Sequence, residues 1–225
     1  MVCLQSIEGA RMETSQRVQL NTLILILVTI LVVEWAQRIF ASKIPHDPMI
    51  ILGAARIFQV ILIILIVLIW GKGLESIGLH LPQIFFGIKK GFIWSFGFGI
   101  LAFLAFLGLL MAGVNPLPLI QMPMNSGIGR LIFLIIIGGI LAPVAEEVVF
   151  RGVLFGFFRR WGLILALTVS TLLFVVVHPI QGIPVIQIVG GILFAVAYEV
   201  EGTLMTPITI HALGNCSLFT ISFFA

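Results

Sequence analysis

The chain has 225 residues, of which 60% are hydrophobic and 9% charged, and its mean hydropathy is +1.25. A soluble domain carries about 25% charged residues, so this composition excludes a soluble globular fold and predicts an integral membrane protein. The net charge of +3 is assigned to basic loops between spans and gives no argument for nucleic acid as a partner.

Residues 1–18 are polar and mixed in charge and are read as a tail or interfacial segment; residues 19–225 form the transmembrane domain. Long unbroken apolar runs favour helices over the alternating pattern of a β-barrel. They fall at 20–36, 50–70, 91–113, 131–157, 163–179, 184–200 and 203–224. A helix needs roughly 20 residues to cross the hydrocarbon core, so the prediction is an all-α polytopic bundle of about seven spans in membrane lipid. The first run is too long for a signal-peptide core and lacks a cleavage site, so it is read as a retained helix. Between the second and third runs, "GKGLESIGLHLPQIFFGIKK" (71–90) breaks the pattern and predicts a loop with a short helix along the membrane surface. Cys3 and Cys216 lie near opposite ends of the chain, which supports neither a disulfide nor a metal cluster.

Lysine and arginine set the expected orientation. With the amino terminus in the cytoplasm, the inner segments hold Arg11, Arg17, Lys72, Lys89, Lys90, Arg159 and Arg160. The outer segments then hold Arg38, Lys43 and Arg130.

The fourth run carries "APVAEEVVFRGVLF" (142–155), with three charges well inside an apolar span. Each costs about 2.5–3.5 kcal/mol at mid-membrane on insertion scales, so the three need partners or a purpose. Glu147 and Arg151 are four apart in the favourable acid-before-base order. Glu146 points about 100° away and is free of that pair. The plain alternative is a structural ion-pair cluster between helices. Gly138, Gly139 and Pro143 just before it ease close packing, and the proline frees a carbonyl and permits a kink.

Two later runs carry polar groups suited to a reaction. "FVVVHP" sets Phe174 and His178 four apart, and "IHALGN" sets His211 and Asn215 four apart on one face of the last span. Either histidine alone is explained by a hydrogen bond across helices. Helix rise puts His178 at a depth similar to Glu146, roughly 20 Å from the loop that joins their spans. Glu34, Arg38 and Arg56 are read as snorkelling to the interface, His46 and His80 as loop residues, and Glu199 and Glu201 as solvated.

Read together, "EEVVFR", "FVVVH" and "HALGN" fit EExxxR, FxxxH and HxxxN in order across residues of about 130–216, the expected catalytic core. The pattern resembles the CPBP family of CAAX prenyl proteases and bacteriocin-processing or immunity proteins, also called the ABI family. The resemblance implies an intramembrane endopeptidase in the plasma membrane of a prokaryote, cutting a protein or peptide near its membrane-proximal or C-terminal end. It implies that Glu146 activates water with help from His178, while His211 and Asn215 hold the developing oxyanion. Glu147 and Arg151 then orient the site, with Phe174 packed beside it. Burial tunes a carboxylate for proton transfer, and each oxyanion donor is worth about 2.7–4 kcal/mol in known hydrolases.

The family implies a glutamate-type reaction with no cofactor. The second reading is a zinc site on Glu146, His178 and His211, although no HExxH helix is present. A catalytically silent protein for bacteriocin immunity or scaffolding is the alternative from another class. An ion-coupled carrier also uses intramembrane Glu and His, but no inverted repeat is evident.

Overall fold

The computed structural model describes residues 18–43, 47–120, 127–178 and 184–224. The amino-terminal tail with Cys3, Arg11 and Arg17, and the loop residue His46, lie outside the described residues. Seven principal helices run in chain order: α1 Leu20–Lys43, α2 Pro48–Ile69, α3 Ile84–Met111, α4 Ile128–Trp161, α5 Leu163–Val177, α6 Val185–Glu201 and α7 Met205–Phe224. No strand occurs among the described residues. The protein is an all-α polytopic bundle. Five helices (α1, α2, α3 with the turn before it, α4 and α7) are long and apolar enough to cross a membrane. At 15 and 17 residues, α5 and α6 are shorter, or about 22–26 Å at 1.5 Å per residue.

Local chemistry explains several boundaries. Asp47 caps α2 by accepting from Met49 N at 2.9 Å, with Pro48 as the first helical residue. At the far end, the Thr22 hydroxyl of α1 donates to the Trp70 carbonyl at 3.1 Å and ties α1 to α2. α3 starts at Ile84, earlier than the apolar run suggests, so Lys89 and Lys90 sit on a helix and not in a loop. The expected surface helix is replaced by two 3-10 turns, Leu74–Ile77 and Leu81–Gln83. The first is tucked inward: Ile77 is fully buried, and Gly78 O accepts from Leu204 N at 2.8 Å.

The bundle is apolar outside, and its polar and charged groups are enclosed within a largely apolar core, away from lipid. Glu147, Arg151, Ser170 and Thr206 are fully buried, whereas Phe96, Leu101, Ile164 and Val176 face outward. α3 and α7 approach closely at Gly87 and Gly91, a GxxxG spacing. A Cβ on Gly91 would sit 2.4 Å from Thr209 Cβ, and one on Gly87 2.7 Å from Met205 Cβ.

The charges expected at interfaces are paired. Glu199 accepts from Arg159 Nη2 at 2.7 Å and from its Nε at 2.9 Å. Glu201 accepts from Trp94 Nε1 at 2.9 Å and pairs with Lys90 at 3.1 Å, so neither acid is simply solvated. Glu34 of α1 and Arg56 of α2, read as snorkelling to the interface, likewise pair with each other. A helix end in lipid has few waters to offer, so a partner charge on the next helix takes their place.

Candidate active site

The site is built on α4, which is not a uniform helix. Leu134–Leu141 and Val148–Phe155 are wound in the wider pattern in which an N–H reaches back five residues, and between them Ala142–Glu147 returns to α geometry. Such wide turns occur frequently at functional sites. The acidic pair therefore sits at the end of a short ordinary segment held between two wide ones. α2 packs against both Leu134–Leu141 and Ala142–Glu147, with Ile137 only 3.2 Å from where a Gly53 Cβ would be.

Glu147 and Arg151 make the ion pair expected from their spacing, at 2.8 Å, and both side chains are completely buried. Arg151 Nη2 also donates to Gly191 O of α6 at 3.1 Å. Its guanidinium lies over the rings of Phe174 at 4.6 Å and Phe194 at 5.1 Å. A desolvated cation is thus met by a carboxylate, a carbonyl and two aromatic faces, which together offset its burial.

His211 joins this pair. Its Nδ1 is 2.8 Å from Glu147 Oε1, the same oxygen that accepts from Arg151 Nη1. Glu147 as a carboxylate only accepts, so His211 Nδ1 is the donor and Nε2 faces away from it. Phe194 stacks on the imidazole, with centroids 4.6 Å apart and planes at 21°.

The position of His178 follows from the proline after it. A residue preceding proline is pushed out of the α region, and His178 is extended at φ −86° and ψ 147°, ending α5 at Val177. Its backbone N–H turns to Val175 O at 3.1 Å. The Phe174 carbonyl, which an ordinary helix would give to that N–H, instead lies 2.6 Å from His178 Nδ1. A carbonyl cannot donate, so Nδ1 carries the hydrogen and Nε2 is turned toward the site.

Both Nε2 atoms face Glu146. Its Oε2 is 3.5 Å from His178 Nε2 and 3.8 Å from His211 Nε2, and the carboxylate side chain is 21% exposed. That oxygen makes no hydrogen bond within the protein. Glu146, His178 and His211, from three helices, therefore meet at one point. Glu147 contacts His211, Phe174 packs on both imidazoles, and Arg151 lies over the Phe174 ring. Asn215 is placed differently: its Nδ2 donates to the Gly138 carbonyl at 3.0 Å.

Sequence reasoning missed the contribution of α2. Arg56 Nη1 donates to Gln59 Oε1 at 2.8 Å and pairs with Glu34. Arg56 is within electrostatic reach of Glu146, and Gln59 is almost wholly buried. The signal was present, since a charge nine residues into an apolar helix meets the same test as Glu146. Phe194 left no comparable mark. For a metal, the described residues contain no group of three His, Cys, Asp or Glu side chains arranged to hold one. The two imidazoles converge on a single oxygen of Glu146.

A polytopic helical bundle with a carboxylate and two imidazoles meeting between its helices defines an integral membrane protein with a polar cluster inside it. Residues 128–217, α4 to the middle of α7, match the family described as type II CAAX prenyl endopeptidase Rce1-like. The matched residues include every site residue named above from α4, α5 and α7, so over this stretch the chain is similar to that family. No curated protein and no solved structure matches the chain.

Proposed function

We propose that the protein is an intramembrane endopeptidase that hydrolyses a peptide bond near the membrane-proximal or C-terminal end of a protein or peptide, using water activated by Glu146. The observation that carries this reading is the approach of His178 Nε2 to Glu146 Oε2 at 3.5 Å, each turned inward with no protein hydrogen bond between them. That separation is too long for a direct hydrogen bond and suits a water donating to both acceptors. Such a water presents its lone pair to a substrate carbonyl. Glu146 takes one proton as the water oxygen bonds to the carbonyl carbon, then passes it to the leaving nitrogen as the C–N bond breaks.

His211 Nε2 is 3.8 Å from the same Glu146 oxygen. With Nδ1 committed to Glu147, it donates to the developing oxyanion when Nε2 carries a proton. Asn215 adds the amide hydrogen that Gly138 does not use. Loss of one such donor is worth about 10²–10³ in kcat. No step in this scheme requires a metal. Zinc on Glu146, His178 and His211 is the competing chemistry, and activity that survives chelation in metal-free protein is the result expected here. The protein is assigned to the plasma membrane of a prokaryote with its amino terminus in the cytoplasm. An amino-terminal reporter that is accessible only from outside would reverse that orientation.

The test is purified protein in lipid with a membrane-anchored peptide library. Glu146→Ala and His178→Ala are expected to abolish cleavage while retaining the thermal unfolding profile. A protein acting silently in immunity or scaffolding would keep its phenotype in both variants, and that outcome would overturn the enzyme assignment.

A further inference from the structure

The wide turn before Glu146 has a break in its hydrogen-bond ladder, and Asn215 fills it. Ala142 N–H reaches back five residues to Ile137 O. In the same register the next N–H, that of residue 143, belongs to the Gly138 carbonyl. Residue 143 is proline and has no N–H to give. In a span, where water is scarce, an acceptor left this way needs another donor. Gly138 O receives it from Asn215 Nδ2 at 3.0 Å.

The packing of α7 on α4 makes the contact feasible. A Cβ on Gly139 would lie 2.6 Å from Cys216 Sγ, and one on Gly138 3.0 Å from the Phe219 ring. Two glycines thus bring the α4 backbone within reach of a short side chain on α7. Glu146 stands one turn beyond Pro143, so the pitch of this segment sets where its carboxylate meets His178.

We infer that Asn215 is a positioning residue: its amide stands in for the N–H that Pro143 withholds from Gly138, and so holds the wide turn that presents Glu146 to the two imidazoles. This is distinct from any contact of Asn215 with substrate. It predicts that Asn215 and Pro143 are coupled, because a residue with an N–H at 143 makes the amide dispensable.

The experiment is a double-variant cycle of Asn215→Ala and Pro143→Ala in the full chain in lipid nanodiscs, read by thermal unfolding and by ring-nitrogen NMR of labelled histidine. Both readouts are independent of whether the chain is a protease. Asn215→Ala is expected to lower the unfolding temperature and move the His178 resonances. In the Pro143→Ala background the same change should cost less than half as many degrees, and the His178 resonances should return toward the wild-type positions. Equal shifts in both backgrounds would overturn the inference. Coupling in unfolding temperature without recovery of the His178 signature would reduce Asn215 to a packing residue and also overturn it. Should Asn215→Ala fail to fold, recovery of folded protein by Pro143→Ala supports the inference, and no recovery overturns it.

Discussion

Glu147 is the most constrained side chain in the site, since one of its oxygens serves both Arg151 and His211 at 2.8 Å. Removing one partner of a buried pair costs about 3–5 kcal/mol, because the other charge is left unpaired. Arg151→Met is therefore expected to destabilise the protein by about that amount. Glu147→Gln/Arg151→Met, which retains an acceptor for His211 Nδ1, is expected to recover most of it. Unfolding in detergent micelles checks this, and additive losses would contradict the account. A second expectation concerns the ring on His211. Phe194→Ala removes a stacked face and one face of the Arg151 cage, and truncating a buried Phe costs about 3–5 kcal/mol. Its effect on cleavage should appear chiefly in kcat, because Phe194 holds His211 rather than the substrate.

Among the elements, legibility differed with the physical origin of each feature. The Glu147–Arg151 pair was readable because four-residue spacing survives the change of pitch at Val148. The exit of His178 from α5 follows from "HP" alone, although its bond to Phe174 O does not. Nothing in the apolar pattern revealed that α4 is wound wide on both sides of Ala142–Glu147, since hydrophobicity reports exposure and a nearly all-apolar helix has little contrast to report. The early start of α3 was hidden because Lys89 and Lys90 look like loop residues until Glu201, far along the chain, is placed beside Lys90. Arg56 shows the same limit: its place in the site depends on how α2 packs on α4. At this scale the expected consequence is steric. Gly91→Val puts atoms where Thr209 already lies within 2.4 Å of the new Cβ, and overpacking of this kind costs typically about 1–3 kcal/mol. The prediction is a lower unfolding temperature, with a smaller effect for Gly97→Val, whose Cβ position is open.

For the whole molecule, the site is not confined to the family-matched residues 128–217. α2 covers the segment that carries Glu146, and its Arg56 is held by Glu34 and Gln59. Residues 127–225 expressed without the first three helices are therefore expected to lose stable folding in detergent, and co-expression of residues 1–126 to restore it. Monodisperse, stably folded protein from residues 127–225 alone would show that α1–α3 are accessory. Enclosure of Glu147 and Arg151 within the bundle, with aromatic and aliphatic side chains facing outward, accounts for how so apolar a chain carries three charges in one span.

The central claim is that Glu146 acts chemically on a peptide bond from within the membrane. The most direct measurement compares the peptide termini of membrane and secreted proteins in cells carrying wild-type protein or Glu146→Gln at equal abundance. The account predicts that a defined set of new termini present with the wild type disappears with the variant. Identical termini in the two cells would contradict it.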